Sequence, residues 1–426
     1  MDNLQKEKRQ TFLIGCLVGV VVAGLVLSIV FTFAIKMNNS KRDYSVASTG
    51  SSSKTGQSTS LSTKDATLID QGFIDKAELI YNNVVKEFYF DEDIDTSGMK
   101  ENMYKAIISS LDDKYAEYYT AEELEDMFAE SEGIYYGIGS YVMMDEETNY
   151  PLLSSIFKGS PAEEAGLRDG DIIYEVNGEN IFGLTLNEAV ALIKGPENTT
   201  VNLTIYRQGE PDYLDITVTR RKVESPTVNY EMKDNNVGYL QITEFDEVTK
   251  GQFKEGYESL CDQGMKALVL DLRSNGGGNL DAVLEIGEML LPRGIITYTE
   301  DKYGYREEYT CSGKHEIKIP VVVLTNEYTA SASELLTGAL HDYGLATVIG
   351  TNTFGKGIVQ TIYPLADGSG IKITTSRYYT PNGVCIHGEG IAPDIVMEFD
   401  SDLYYGEEAI DNQLDYAVEY LSGKIN

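Results

Sequence analysis

Two residues in this 426-residue chain stand in settings that suit covalent chemistry, Ser331 and Lys356. Ser331 follows the apolar run VVVLTN and opens ASELLTGALHD, which predicts a serine at a helix N-terminus. There the hydroxyl is exposed and neighbouring free N–H groups can stabilise an oxyanion. The stretch Ser331-Ala332-Ser333-Glu334 also fits a capping box, so the hydroxyl has a purely structural alternative. A serine nucleophile needs a base. His341 lies ten residues along the same helix, and His315 and His387 stand in polar loops, so none is placed to reach it. Lys356, between Gly355 and Gly357 in a loop after the next strand, can serve if burial lowers its pKa. Taken alone it reads far more readily as a surface charge.

Other chemistries fail at specific positions. Gly350 to Lys356 fits GxxxxGK, but Gly357 follows where a nucleotide-binding loop needs Ser or Thr to hold magnesium. Asp91, Asp93 and Asp95 begin like a calcium loop, yet Thr96 stands in place of the turning Gly and Asn102 in place of the closing Glu. There is no HExxH, and the four cysteines fall singly at 16, 261, 311 and 385. No metal and no cofactor is expected. Three cysteines outside the N-terminal apolar run allow at most one internal disulfide.

The elements that must position these residues show in the patterning. KALVLDL reads as a buried parallel strand leading through RSNGGGN to the helix LDAVLEIGEMLL. VVVLTN leads in the same way to SASELLTGALHD, and ATVIGT into NTFGKG, which together predict an α/β layer. Between Thr67 and Glu130 apolar residues recur at helical spacing, giving two or three helices, with Thr120 and Glu123 as a capping box. From about Gly133 to Arg221 short β-prone runs alternate with tight turns, and Asn177-Gly178 predicts a hairpin. One amphipathic helix there places Leu186, Ala189, Val190 and Ile193 on one face. Near the end, Ile410, Leu414, Ala417, Val418 and Leu421 share a helix face that must dock on this chain or on a partner.

Two resemblances connect these observations. GIGSYV, then SPAEEAGLRDGDIIYEVNGENI, then the helix, resembles a PDZ domain, in which Gly137, Ile138 and Gly139 would cradle the carboxylate of a bound peptide tail. LDLRSNGGG, TASASELLTGALHD, VIGTNTFGKGIVQ and RYYTPNGVCIHGEGIAPDI, in that order, resemble the carboxyl-terminal processing, or tail-specific, proteases over about residues 68 to 424. The resemblance implies Ser331 as nucleophile, Lys356 as general base and Gln360 orienting the lysine. It implies an oxyanion hole from the N–H groups of Ala332 and Gly277, where a glycine lets the backbone approach the substrate carbonyl. It also implies that Arg168, in a PDZ loop, senses engaged substrate and aligns Gln360. Asp271 and Arg273 are expected to pair with each other. The chain departs from the family pattern at Lys114 and Ala116, where Pro and Ser are frequent, and at Gly276, where Pro is common.

Charge and the chain's beginning bear on location. Lys plus Arg number 34 against 68 for Asp plus Glu, a net charge of -34, which leaves no basic stripe for nucleic acid. Such a surface repels anionic headgroups, so membrane attachment must be hydrophobic. Thr11 to Ile35 carries no charge and, at about 1.5 Å per helical residue, spans a hydrocarbon core of roughly 30 Å. It reads as a retained anchor because it exceeds a signal peptide's apolar stretch and lacks a small-residue cleavage ending. Basic residues flank it on both sides, so orientation rests on the expected chemistry, with the N-terminus cytoplasmic and the catalytic part outside.

The expected fold is thus α+β and multidomain, with a PDZ domain inserted in an α/β Ser/Lys protease core behind an N-terminal transmembrane helix. The parts are a cytoplasmic tail (1–10), the transmembrane helix (11–35), a Ser/Thr-rich linker (36–66), a helical region (67–131), the PDZ domain (132–222), the protease core (223–398) and a C-terminal helical segment (399–426). The implied partners are protein or peptide substrates with exposed C-terminal tails, the membrane, and a second copy of the chain. The competing function is a non-catalytic PDZ scaffold at the membrane, which would need no joint presence of Ser331, Lys356 and Gln360.

Overall fold

The computed structural model describes residues 69–406 and 409–425, so the apolar run at 11–35 and the linker at 36–66 lie outside the described residues. Among the described residues no helix is long and apolar enough to cross a membrane. Those up to Ser110 and those from Leu111 onward form separate units. The first holds the helices Gln71–Glu87 and Thr96–Ser109, started by the side chains of Asp70 and Asp95, which accept from the N–H of Phe73 and Ser97. Asp95 therefore serves as a helix cap.

The larger unit is built on a six-stranded sheet in the order Val228–Met232, Val237–Ile242, Ala267–Asp271, Val321–Thr325, Ala346–Gly350, Ile395–Val396. All its pairings are parallel except the first. Strand side chains alternate between faces, and the sequence uses both. Leu268, Leu270, Val321 and Val323 pack with Phe253, Val283, Ile286 and Leu336 from the helices Thr249–Asp262, Leu280–Leu290 and Ala332–Asp342. Ala267, Val269, Val322 and Leu324 pack on the opposite side with Ala417 and Leu421 of the helix Asn412–Ser422. The C-terminal helix thus docks on its own chain. Full burial of a Leu or Ile here contributes about 1.5–3 kcal/mol, which explains the uninterrupted apolar strands.

A second sheet, not evident from the sequence patterns, is antiparallel. Gly370–Tyr379 pairs with Ile358–Pro364, with Glu117–Tyr119 and with Gly294–Asp301, which in turn pairs with Arg306–Cys311. The chain from Gly350 to Ile358 crosses from the parallel sheet to this one, and Lys356 lies on the crossing. No disulfide joins Cys261, Cys311 and Cys385.

The PDZ region forms a sheet in the order Ser140–Met144, Pro151–Ile156, Ile172–Val176, Thr200–Tyr206, Leu214–Thr219. Its core joins Ile138, Leu153, Ile173 and Leu203 to Ala189 and Ile193 of the helix Leu186–Ile193. Asn177 and Gly178 both have positive φ, and Val176 pairs with Glu179 across them, which is the hairpin expected of Asn-Gly. Where the PDZ strands meet the core, Ser225 N–H donates to the Gly133 carbonyl. Glu244 and Asp246 lie at this junction, and burial, reinforced by Glu130, pushes both carboxyls well above their ordinary range. Tyr141, on the first PDZ strand, is pushed up to about 12 by burial and then by Glu244 and Asp246.

Candidate active site

Ser331 sits in the turn between the strand Val321–Thr325 and the helix Ala332–Asp342, with φ 56 and ψ −113. Such a conformation costs a non-glycine residue on the order of 1–3 kcal/mol and persists only where its surroundings enforce it. Half of the capping box forms, since Ser331 N–H donates to Glu334 Oε2 at 2.7 Å. The other half does not, because Ser331 Oγ is buried and has no hydrogen-bond partner. The hydroxyl is therefore held in place by its main chain while remaining uncommitted.

Glu334 is the device that enforces this geometry. Its carboxylate is fully buried and accepts four hydrogen bonds. Oε1 takes Thr353 Oγ1 at 2.6 Å and Gly355 N at 2.7 Å, while Oε2 takes Ser331 N and, at 2.8 Å, Lys356 N. One oxygen thus bridges the main chains of the serine and the lysine. Burial raises the Glu334 pKa, and the four donors resist that rise. Read from sequence, Glu334 was only a cap residue. The unbroken burial of the segment from Ala332 to Leu340 makes it an internal tie instead.

Lys356 is 3% exposed, and its Nζ has no hydrogen-bond partner. Its pKa falls to about 7, mainly through burial, then through the positive charges of Lys372 and Lys114, against the opposing pull of Asp113 and Glu334. The ammonium position lies 4.2 Å from the ring centroid of Tyr115. The flanking glycines are steric necessities. Gly355 has φ +86 and a Cβ there would meet Gly390 N at 2.9 Å, while a Cβ on Gly357 would meet His387 N at 2.6 Å. The loop of His387 therefore packs against the lysine loop, which the sequence did not indicate, although the His387 side chain itself is exposed. Gln360 is buried on the second sheet. Its Nε2 donates to Thr374 Oγ1 at 3.2 Å, and Oε1 is left without a partner. Tyr378 completes the surroundings by donating from its hydroxyl to the Ser331 carbonyl at 2.9 Å. Tyr115, Thr374 and Tyr378 carried no sequence signal of their own.

Gly277 lies directly against Ser331. A Cβ on it would come 2.9 Å from Ser331 Cβ and 3.0 Å from Ala332 N. Its N–H, however, donates to Asn275 Oδ1 at 2.8 Å. The N–H of Ala332, in the first helical turn, has no intrahelical acceptor. Asp271 and Arg273 pair as expected, with Nε–Oδ1 at 3.0 Å and Nη2–Oδ2 at 2.6 Å. Arg273 also reaches Asp411 Oδ2 at 2.7 Å, which ties the active-site sheet to the C-terminal helix.

Gly137-Ile138-Gly139 links two strands of the PDZ region, with Ile138 buried in the core. The strand that follows, Ser140–Met144, is the edge of its sheet and faces the helix Leu186–Ile193. Edge strands offer unpaired N–H and C=O groups to an added peptide strand. Tyr135 Oη and Ser140 Oγ, on either side of the Gly-Ile-Gly turn, are buried without partners. Arg168 is exposed, and its N–H donates to Asp171 Oδ2 at 2.8 Å.

Comparison with known proteins bears on both sites. Residues 236–397 match peptidase family S41, and residues 154–207 match a PDZ domain. The carboxy-terminal processing protease CtpA of Bacillus subtilis is 37% identical over 345 residues, covering 81% of this chain and 73% of that protein. A probable CtpA-like serine protease of Staphylococcus aureus is 36% identical over 332 residues, covering 77% of this chain and 66% of that protein. A crystal structure described as an S41 protease from Bacteroides fragilis shares the fold at 21% identity with a TM-score of 0.51, over 82% of this chain and 98% of that one.

Proposed function

This chain belongs to peptidase family S41 and is a carboxy-terminal processing serine protease with a PDZ domain, and we propose that it is a membrane-anchored endopeptidase that cleaves with Ser331, Lys356 and Gln360. The observation that carries the assignment is a set of three buried side-chain atoms without partners, Ser331 Oγ, Lys356 Nζ and Gln360 Oε1. Unpaired buried polar atoms cost about 1–3 kcal/mol each, and two of these three belong to residues whose main chains a single Glu334 oxygen joins, as a poised reaction centre requires.

In the reaction, the neutral Lys356 amine accepts the Ser331 proton as Oγ attacks the scissile carbonyl. Gln360 Oε1 accepts a hydrogen bond from the amine and turns its lone pair toward the serine. The Ala332 N–H, with the Gly277 N–H released from Asn275, receives the oxyanion. The Lys356 ammonium then gives its proton to the leaving amine, and water hydrolyses the acyl-enzyme with the lysine again as base.

Substrate tails are taken up at Gly137, Ile138 and Gly139 along Ser140–Met144. Tail binding brings Arg168 toward Gln360 and completes the site. The span 11–35 anchors the chain with its N-terminus cytoplasmic and residues 132–222 and 223–398, the PDZ domain and protease core, outside the membrane. A second copy of the chain would meet the N-terminal helices, whose apolar side chains Leu79 and Ile80 are exposed, and not the C-terminal helix, which docks on its own chain.

The test is incubation of wild type and Ser331→Ala with an unstructured peptide bearing a free C-terminus. The wild type cleaves, and the variant binds the tail without cleaving it and melts at or above the wild-type temperature, since no cap bond is lost and a buried unpartnered hydroxyl is removed. Persistent turnover with stability lowered by about 0.5–2 kcal/mol would return Ser331 to a cap residue. Tail binding without cleavage by the wild type would favour the scaffold.

A further inference from the structure

The second sheet holds a buried cation that the reaction just described does not use. Lys372, on Gly370–Tyr379, has a side chain only 3% exposed. Its Nζ donates to Tyr119 Oη and, at 3.2 Å, to Glu117 Oε2, and Tyr119 Oη donates to the same Glu117 oxygen at 2.5 Å. Both partners are presented by the adjacent strand, on which Glu117 pairs with Lys372 in register. Lys372 and Thr374 are two residues apart on one strand and therefore share a face. Thr374 stands opposite Gln360 and holds its amide. A sheet interior is a costly place for an ammonium, and an apolar side chain would fill the position without that cost.

The charge has one evident target. The Lys356 Nζ rests 4.2 Å from the ring centroid of Tyr115, two residues before the Glu117 that holds Lys372, so one short segment carries contacts to both lysines, and after burial the Lys372 charge is the largest influence holding the Lys356 pKa down. Lys114 acts in the same sense but is exposed, resting on the rings of Tyr115 and Phe354, where solvent screens it. Asp113 and Glu334 pull the other way. Glu117 is more than half exposed, so it fixes Lys372 while neutralising it only partly. Tyr119 is pushed far above the ordinary phenol range by burial, then by Glu117 and Glu123, so it stays a neutral donor.

We propose that Lys372 is a positioning residue for the catalytic base: its buried ammonium, fixed by Tyr119 and Glu117 on the strand that holds Gln360, keeps Lys356 neutral at physiological pH. This rests on the reading of Lys356 as the base.

The experiment measures kcat/KM of the purified full-length chain on an unstructured peptide from pH 5 to 10. Wild type should rise with pH through one ionisation. Lys372→Met should move that midpoint up by on the order of one unit, with about tenfold less activity at pH 6 and near-recovery on the alkaline plateau. Lys372→Arg, which keeps the charge, should restore the wild-type midpoint. Glu117→Gln, on the exposed rim, removes the partial neutralisation and should move the midpoint down, which gives a readout even if the methionine variant does not fold. Midpoints that stay fixed in both Lys372→Met and Glu117→Gln, or in Glu117→Gln alone if the other fails to fold, overturn the role of Lys372 while leaving Lys356 as base. A wild-type profile with no acid limb overturns the lysine base itself, and with it this proposal.

Discussion

Replacing the candidate base by an apolar side chain of similar length, Lys356→Met, should abolish cleavage and stabilise the protein. The side chain is 3% exposed, and its pKa falls to about 7 from an ordinary value of 10.5. Because the folded pKa lies below the unfolded one, the unfolded chain binds more protons between those two values, and stability must rise with pH across that window. Below pH 7 the folded state bears the whole cost of the buried ammonium, on the order of 5 kcal/mol at about 1.4 kcal/mol per unit. Above pH 10.5 the cost is gone. Methionine carries no such cost, so at pH 6 the variant should melt higher by roughly 10 °C, the gain expected at about 2–4 °C per kcal/mol for a domain of this size. The difference should shrink steadily toward pH 10. Lys356→Arg keeps a cation that cannot deprotonate and should be both inactive and destabilised. Calorimetry at several pH values reads the stabilities, and peptide cleavage reads the activities. A methionine variant no more stable than wild type at pH 6 would refute the picture of a strained, easily deprotonated lysine.

Glu334→Gln should disable the site through its scaffold, because an amide can accept at one end only and two of the four donors would then face an NH2 group. The loss is on the order of 2–4 kcal/mol, read as a lowered melting temperature together with a kcat reduced by at least tenfold and a KM little changed. Asp246→Asn acts in the opposite pH sense to the lysine. Its folded pKa is raised by burial and by Glu244 and Glu130, so stability falls as pH rises from the ordinary carboxyl range to the raised value. The variant should gain on the order of 1–3 kcal/mol at pH 8 and nothing at pH 4, as thermal melts at the two pH values would show. Arg168→Ala should bind tail peptides with wild-type affinity by calorimetry yet lose most turnover. Cleavage at the wild-type rate would place the gating elsewhere in the PDZ region.

The centre of the parallel sheet was legible because Ala267–Asp271 and Val321–Thr325 are buried on both faces, whereas the flanking strands Val228–Met232, Val237–Ile242 and Ile395–Val396 went unread, two of them being largely exposed. KALVLDL and VVVLTN admit few other readings, and Asn177-Gly178 dictates its turn through positive φ. The antiparallel sheet was not legible, because IVQTIYP and IKITTSRYY mix buried polar and exposed apolar residues, and their pairing is fixed by contacts distant in sequence. Gln360 and Lys372 are both polar residues facing a closed interior, so they break the pattern by which burial is read. Glu334 was hidden for a different reason. Its spacing from Ser331 satisfies a local cap rule, and only the return of Gly355 and Lys356 onto the same carboxylate reveals a tie between two segments.

The active site is therefore held against its own local preferences. Ser331 has a backbone conformation that costs about 1–3 kcal/mol, and three buried polar atoms lack partners at a similar cost each. Lys356 adds the cost of a buried amine, which lowers its pKa to about 7. Local propensity would relax all of these by letting the serine cap its helix and the lysine reach water. What opposes that relaxation is the Glu334 carboxylate, whose four donors come from both segments, together with the Tyr378 hydroxyl on the Ser331 carbonyl. Neither group need touch substrate to matter. The Gly277 N–H is bound to Asn275 and the Gln360 amide nitrogen to Thr374, while Gln360 Oε1 is free. In the proposed mechanism, therefore, one N–H changes its acceptor and the Gln360 oxygen is already available. A movement of that size is within reach of the binding energy of a substrate tail.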